Sequence, residues 1–84
     1  MGDSGEILTL VKDILETVFK LDRDILEPQK DLFKDLDLDS LDAIDMAAEL
    51  GSRTGTKFSN DDLRNIHTIE DVVNAIVIRQ SEKH

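Results

Sequence analysis

Apolar residues recur at helical spacing at the start of the chain: Ile7, Leu10, Val11, Ile14, Leu15 and Val18. Steps of three and four place them on one side of an α-helix over about residues 5–19. Asp3 or Ser4 suits the N-cap, and Glu6 lies in the first turn, where the helix dipole favours an anion. A second helix opens at Asp39-Ser40-Leu41-Asp42, with Asp39 as cap and Asp42 completing an acidic variant of the capping box. The spacing predicts one face of Leu41, Ile44, Ala47 and Ala48. Asp42, Asp45 and Glu49 form a nearly opposite stripe with Met46 on its border, and the helix ends near Gly51 to Gly55. Ser59 or Asn60 caps a brief helix to about Asn65, with Asp61 and Asp62 in its first turn. Thr68-Ile69-Glu70-Asp71 is a further capping box. Ile69, Val72, Val73, Ile76 and Val77 then supply the apolar face of a last helix to about Gln80, with a frayed tail over residues 81–84.

Residues 21–39 show no such period, and this stretch exceeds the roughly 12–15 residues beyond which structureless loops are uncommon. Pro28 opposes a helix through its middle, while a short helical turn fits residues 32–35. Leu21, Ile25, Leu26, Leu32, Phe33, Leu36 and Leu38 are available to pin the loop down. The expected architecture is an all-α four-helix bundle: three main helices, a short third helix and a long first loop. It forms one domain over residues 1–84 with its core at about 5–80.

Charge narrows the function. The 84 residues carry 19 acids against 10 Lys and Arg, a formal net charge of −9. Such a surface repels phosphate backbones and anionic lipid, which argues against nucleic-acid partners and membrane insertion. It favours encounter with proteins that carry basic patches. There is no cysteine, so no disulfide, thiolate zinc site or cysteine nucleophile belongs to the chain itself. No basic n-region or long apolar run suggests a signal peptide or membrane span, and a monomer in the reducing cytoplasm is the expected setting. His67 and His84 lie far apart with no convincing partner, so neither catalysis nor a metal site is expected of them.

The chemistry concentrates in Asp35-Leu36-Asp37-Leu38-Asp39-Ser40-Leu41-Asp42, where the loop meets the second helix. Here the sequence resembles the acyl carrier protein family, whose attachment motif is Asp-Ser-Leu at the start of that helix; Asp39-Ser40-Leu41 matches it. The resemblance extends over nearly the whole chain. It implies a non-catalytic carrier, modified by a separate phosphopantetheinyl transferase that holds magnesium in its own active site. The Ser40 hydroxyl would attack the β-phosphate of coenzyme A, leaving 4′-phosphopantetheine on Ser40 as a phosphodiester. The arm's thiol would carry acyl intermediates as thioesters during fatty acid, polyketide or related lipid synthesis. Asp39 and Leu41 would flank the attachment point. Asp42, Asp45, Met46 and Glu49 would dock acyl-transferring and chain-extending enzymes with basic patches. An acyl chain would have Ile44, Ala47, Ala48, Phe58, Leu63, Ile66, Ile69 and Val73 as candidate lining between the second and third helices.

One departure stands out. Fatty-acid carriers commonly read Leu-Gly-x-Asp-Ser-Leu, whereas this chain reads Leu36-Asp37-Leu38-Asp39-Ser40-Leu41, with Asp37 in the glycine's place. The run through Asp45 looks more like carriers of specialised bacterial pathways, such as aryl polyene synthesis. The acidity and the Asp before Ser40 disfavour a peptidyl carrier. Two other readings compete. Asp35, Asp37 and Asp39 occupy positions one, three and five of an EF-hand loop, but Ser40 stands where glycine is required and Met46 where the bidentate Glu belongs. Clustered carboxylates then imply only weak, nonspecific attraction for divalent cations. A cofactor-free acidic interaction module would explain the charge and the helices equally well, and differs in having no need of Ser40.

Overall fold

In the computed structural model, which describes residues 4–82, the chain forms α1 (Ser4–Phe19), a 3-10 turn (Arg23–Ile25), α2 (Ser40–Thr54), α3 (Asn60–Asn65) and α4 (Ile69–Glu82). α1 packs against α4 and α2, and α3 leans on α2. Asp3, one of the two N-cap candidates, lies outside the described residues, as do residues 83 and 84 of the expected tail. α4 runs on through Glu82 rather than stopping near Gln80.

α1 buries Ile7, Val11, Ile14 and Leu15, the expected stripe. Val18 sits at the angular centre of that stripe and is still 43% exposed. It lies in the last turn, where position along the axis, not angle, decides burial. α4 buries Ile69, Val72, Val73 and Ile76 against it. Full burial of such side chains contributes about 1.5–3 kcal/mol each.

α2 corrects the expected face. Its buried residues are Ala43, Met46, Ala47 and Leu50, an i, i+3, i+4, i+7 set. Leu41 is 70% and Ile44 49% exposed, and Ala48 is exposed too. The helix carries two apolar arcs whose centres differ by roughly 100°, one residue's rotation. Met46 and Leu50 bring more apolar volume to the core than the arc through Leu41 and Ala48, and that arc is left outside.

The loop is pinned by its own leucines: Leu26, Leu32, Leu36 and Leu38 are buried, with Leu21 and Phe33 packed against the core. Ile25 stays 42% exposed, because the 3-10 turn presents its outer side there. That turn was not expected. Asp22 caps it, and Arg23 ties it to α1 through Asp13 and Glu16. Further on, the loop joins the α3–α4 connection by backbone hydrogen bonds. The Leu32 N–H donates to the His67 carbonyl at 2.8 Å, Ile69 to Lys30 at 3.2 Å, and Glu70 to Pro28 at 2.8 Å. Asp31 and Thr68 thus pair as an isolated antiparallel bridge. The Asp31 carboxylate accepts from the N–H groups of Phe33 and Lys34 and closes the turn expected at residues 32–35. These bonds, Lys34's first, hold that carboxyl below its ordinary range.

Three backbone positions carry the fold's local cost. Lys20, just past α1, and Asp37, just before α2, adopt left-handed φ values of 61° and 58°. Asp37 is the residue that replaces the family's glycine, so the backbone keeps a glycine-like conformation under an aspartate, one of the few other residues that tolerate it. Gly51 lies inside α2, where a Cβ would stand 2.6 Å from the backbone oxygen of Thr56. The chain folds back against the helix there after Gly55, which caps it at φ 72°.

Two stability predictions follow from this backbone. Asp37→Gly removes a left-handed penalty of about 1–2 kcal/mol for an ordinary side chain, less for Asp, against about 0.5–1 kcal/mol of added chain entropy. We expect a net gain of about 0.5 kcal/mol, a rise in Tm of about 2–4 °C in a domain of this size. Asp37→Asn, which removes only the charge, separates the two effects; an equal rise in both variants would refute the backbone account. Gly51→Ala, which helix propensity alone would favour by about 0.8–1 kcal/mol, is expected instead to destabilise by at least about 1 kcal/mol through the Thr56 clash. Thermal melts of both variants decide the sign.

Candidate functional site

Asp39, in extended conformation, ends the loop and begins α2. Its Oδ1 accepts the Asp42 N–H at 2.9 Å, and Asp42 Oδ2 accepts the Asp39 N–H at 3.2 Å. This reciprocal cap, expected from the sequence, sets Ser40 as the first helical residue. Buried Leu36 and Leu38 hold the approach from the loop side, while buried Ala43 holds the first turn from below. Ser40 is exposed, and its hydroxyl has no hydrogen-bond partner among the described residues. It is therefore neither a capping group nor part of a nucleophile–base pair.

Ser40 borders a groove of about 570 Å³ between α2, α3 and the α3–α4 connection. Its apolar lining is Phe33, Ala43, Ile44, Leu63 and Ile66, and its polar rim is Ser40, Asn60, Arg64 and His67. Of the eight lining residues expected from the sequence, Ile44, Leu63 and Ile66 border it. Ala47, Ile69 and Val73 are buried in the core, Ala48 is exposed on the outer side, and Phe58 packs against the core without bordering the groove. The rotation of α2 explains two of these: it carries Ala47 inward, leaves Ala48 outside and brings Ala43 to the groove, whereas Ile69 and Val73 face the core from α4. Arg64 and His67 escaped the sequence reading, although they are the only residues with basic side chains between Lys57 and Arg79, which was a usable signal.

Among the expected docking residues, Asp45 is fully on the surface. Asp42 is half-buried and committed to the cap, and Glu49 faces Arg53 at 3.4 Å. Met46 is 1% exposed, so it is corrected from the surface to the core. Exposed Leu41 and Ile44 supply the apolar part of this face in its place. Asp35 accepts the Asp31 N–H and Asp39 the Asp42 N–H, and no three His, Asp or Glu side chains converge on a metal position among the described residues.

α3 buries none of its six residues. It is held by its C-cap, Ile66, by part-buried Leu63, and by Asp62, which accepts from Arg79 of α4 at 2.6 Å. Asp62 also closes a capping box with Ser59. The Ser59 N–H first, and the Arg79 guanidinium after it, keep its carboxyl below the ordinary range.

A group attached at Ser40 would fit this setting. The hydroxyl is free and outward, a helix N-terminus favours a phosphate, and the adjoining groove has the size and the mostly apolar lining of small-ligand sites. Among the described residues, no helix is long and apolar enough to cross a membrane.

Comparison with known proteins agrees with the geometry. The family model for the phosphopantetheine attachment site matches residues 9–76. Acyl carrier protein 2 of Ralstonia nicotianae is 35% identical over 84% of this chain and 88% of its own length. The solved acyl carrier protein of Enterococcus faecalis superposes with a TM-score of 0.77 at 28% identity, covering 93% of this chain and 99% of that one. That of Thermotoga maritima reaches 0.85 over 96% and 94%, and at 16% identity it bears on the fold alone. The prosthetic group of such carriers is covalently attached 4′-phosphopantetheine. A sequence relative matched over 84% of the chain, a matching attachment-site model and a shared bundle lead to one conclusion: the chain belongs to the acyl carrier protein family.

Proposed function

We propose that Ser40 is the residue that accepts 4′-phosphopantetheine from coenzyme A, through a separate phosphopantetheinyl transferase. The chain then presents acyl intermediates to acyl-transferring and chain-extending enzymes of fatty acid, polyketide or related lipid synthesis. The observation that carries this reading is the exposed Ser40 hydroxyl, partnerless at the first position of α2 and bordering the groove. When bound, the arm supplies a terminal thiol that holds the acyl group as a thioester. The protein's own part is to hold that attachment point rigidly. The Asp39–Asp42 cap fixes the backbone, and the buried loop leucines prevent the junction from fraying.

Recognition by partner enzymes rests in this reading on Asp45 together with exposed Leu41 and Ile44, one turn from Ser40. Apolar contact gives such a surface its adhesion, and the surrounding negative charge speeds encounter with basic partners. Glu49 contributes less, since Arg53 partly neutralises it.

Incubation with coenzyme A, magnesium and a broad-specificity transferase should add one phosphopantetheine mass to the wild type and none to Ser40→Ala, which should melt like the wild type. Folded protein that gains no mass with several transferases would sink the reading. Asp45→Lys should lower the transferase kcat/KM several-fold at low ionic strength, with the deficit shrinking as salt screens the pair. An unchanged rate would remove Asp45 from the docking surface.

A further inference from the structure

Three of the four arginines are committed to carboxylates: Arg23 to Asp13 and Glu16, Arg53 to Glu49, and Arg79 to Asp62. Arg64 is not. It has no ion-pair or side-chain hydrogen-bond partner among the described residues, in a chain with 19 acids. It is also the arginine that lines the groove beside Ser40, with His67 on the same rim. An unpaired guanidinium and an imidazole thus share the rim of the groove where the Ser40 reading puts a new anion.

That anion needs them. A phosphodiester on Ser40 would stand next to the carboxylates of Asp39 and Asp42, which repel it and offset the attraction of the helix N-terminus. A guanidinium is the side chain best shaped to hold a phosphate through two parallel N–H donors. From α3, Arg64 faces Ser40 across the groove rather than along α2, so a contact between them bridges the groove's two walls.

Resting on the Ser40 reading, we propose that Arg64, with His67 beside it, holds the phosphodiester formed on Ser40 and lays the arm along the groove. Arg64 is on this account a positioning residue for the prosthetic group. The consequence is a link between loading and α3, a helix that buries none of its own six residues.

His67 provides the readout. The charged groups around it are Asp31 of the loop, Asp71 of α4, which accepts the His67 backbone N–H at 3.0 Å, and Arg64 of α3. All are present before and after loading, so a change in its titration reports the new anion. The full chain is loaded enzymatically, and loading is verified by intact mass. The His67 imidazole, assigned with His67→Gln, is then titrated by NMR in the unmodified and loaded forms. We expect the loaded form to hold the imidazolium to higher pH than the unmodified form. The phosphorus resonance of the loaded protein should shift in Arg64→Ala and be partly restored in Arg64→Lys. Loaded protein with an unmoved His67 midpoint and the same phosphorus resonance in Arg64→Ala would overturn the inference while leaving the Ser40 reading intact. Failure to load would strike the Ser40 reading instead. A His67 shift that comes only with a malonyl cargo, and not with the free thiol, would assign the cations to a cargo carboxylate and overturn the phosphate assignment.

Discussion

The seam between the long loop and the α3–α4 connection is the contact on which the rest of the structure depends. It consists of three backbone hydrogen bonds, from Leu32, Ile69 and Glu70, closed around the Asp31–Thr68 bridge. Buried Leu32 and Ile69 lie directly at it, so these bonds are shielded from water and are not exchanged for solvent at no cost. The seam fixes the path of residues 28–38 and thereby delivers the Asp39–Ser40 junction to its place. It also fixes His67, and so one end of the groove that Ser40 borders. Function in this fold depends on a loop made as well determined as a helix, by four buried leucines and a few main-chain bonds.

Charge is distributed with the same economy. Aspartates dominate the helix starts, where they close caps: Asp39 with Asp42, Ser59 with Asp62, Thr68 with Asp71. The acidity that suggests a docking surface is therefore partly structural. Asp37 extends the argument. It is absorbed at a left-handed position that favours glycine, so a charged residue stands two positions before the Asp39 cap.

The starts of α2, α3 and α4, their caps and the attachment motif were legible in the chain, because each depends on residues within four positions of one another. The capping boxes at Asp39 and Thr68 and the αL glycine after α2 appear where local hydrogen-bond chemistry requires them. The buried face of α2 was not legible. Two apolar arcs on one helix have nearly equal claims locally, and only the volume waiting in the core selects the arc with Met46 and Leu50. The same rotation decided which α2 residues could reach the groove, turning Ala47 into the core and Ala43 to the groove.

What the sequence determined by itself, then, was every feature with a short-range cause: four helices, a loop too apolar to be free, an exposed serine at a helix start, and an acidic surface. Tertiary structure alone decided which apolar surface is hidden and which stays exposed, and which distant residues line the groove beside Ser40. Those outcomes depend on competition between surfaces far apart in the chain, and periodicity within one segment carries no information about the partner across from it. Arg64 and His67 lie more than twenty residues beyond Ser40, and they share its groove because the loop seam and the packing of α3 on α2 close the distance.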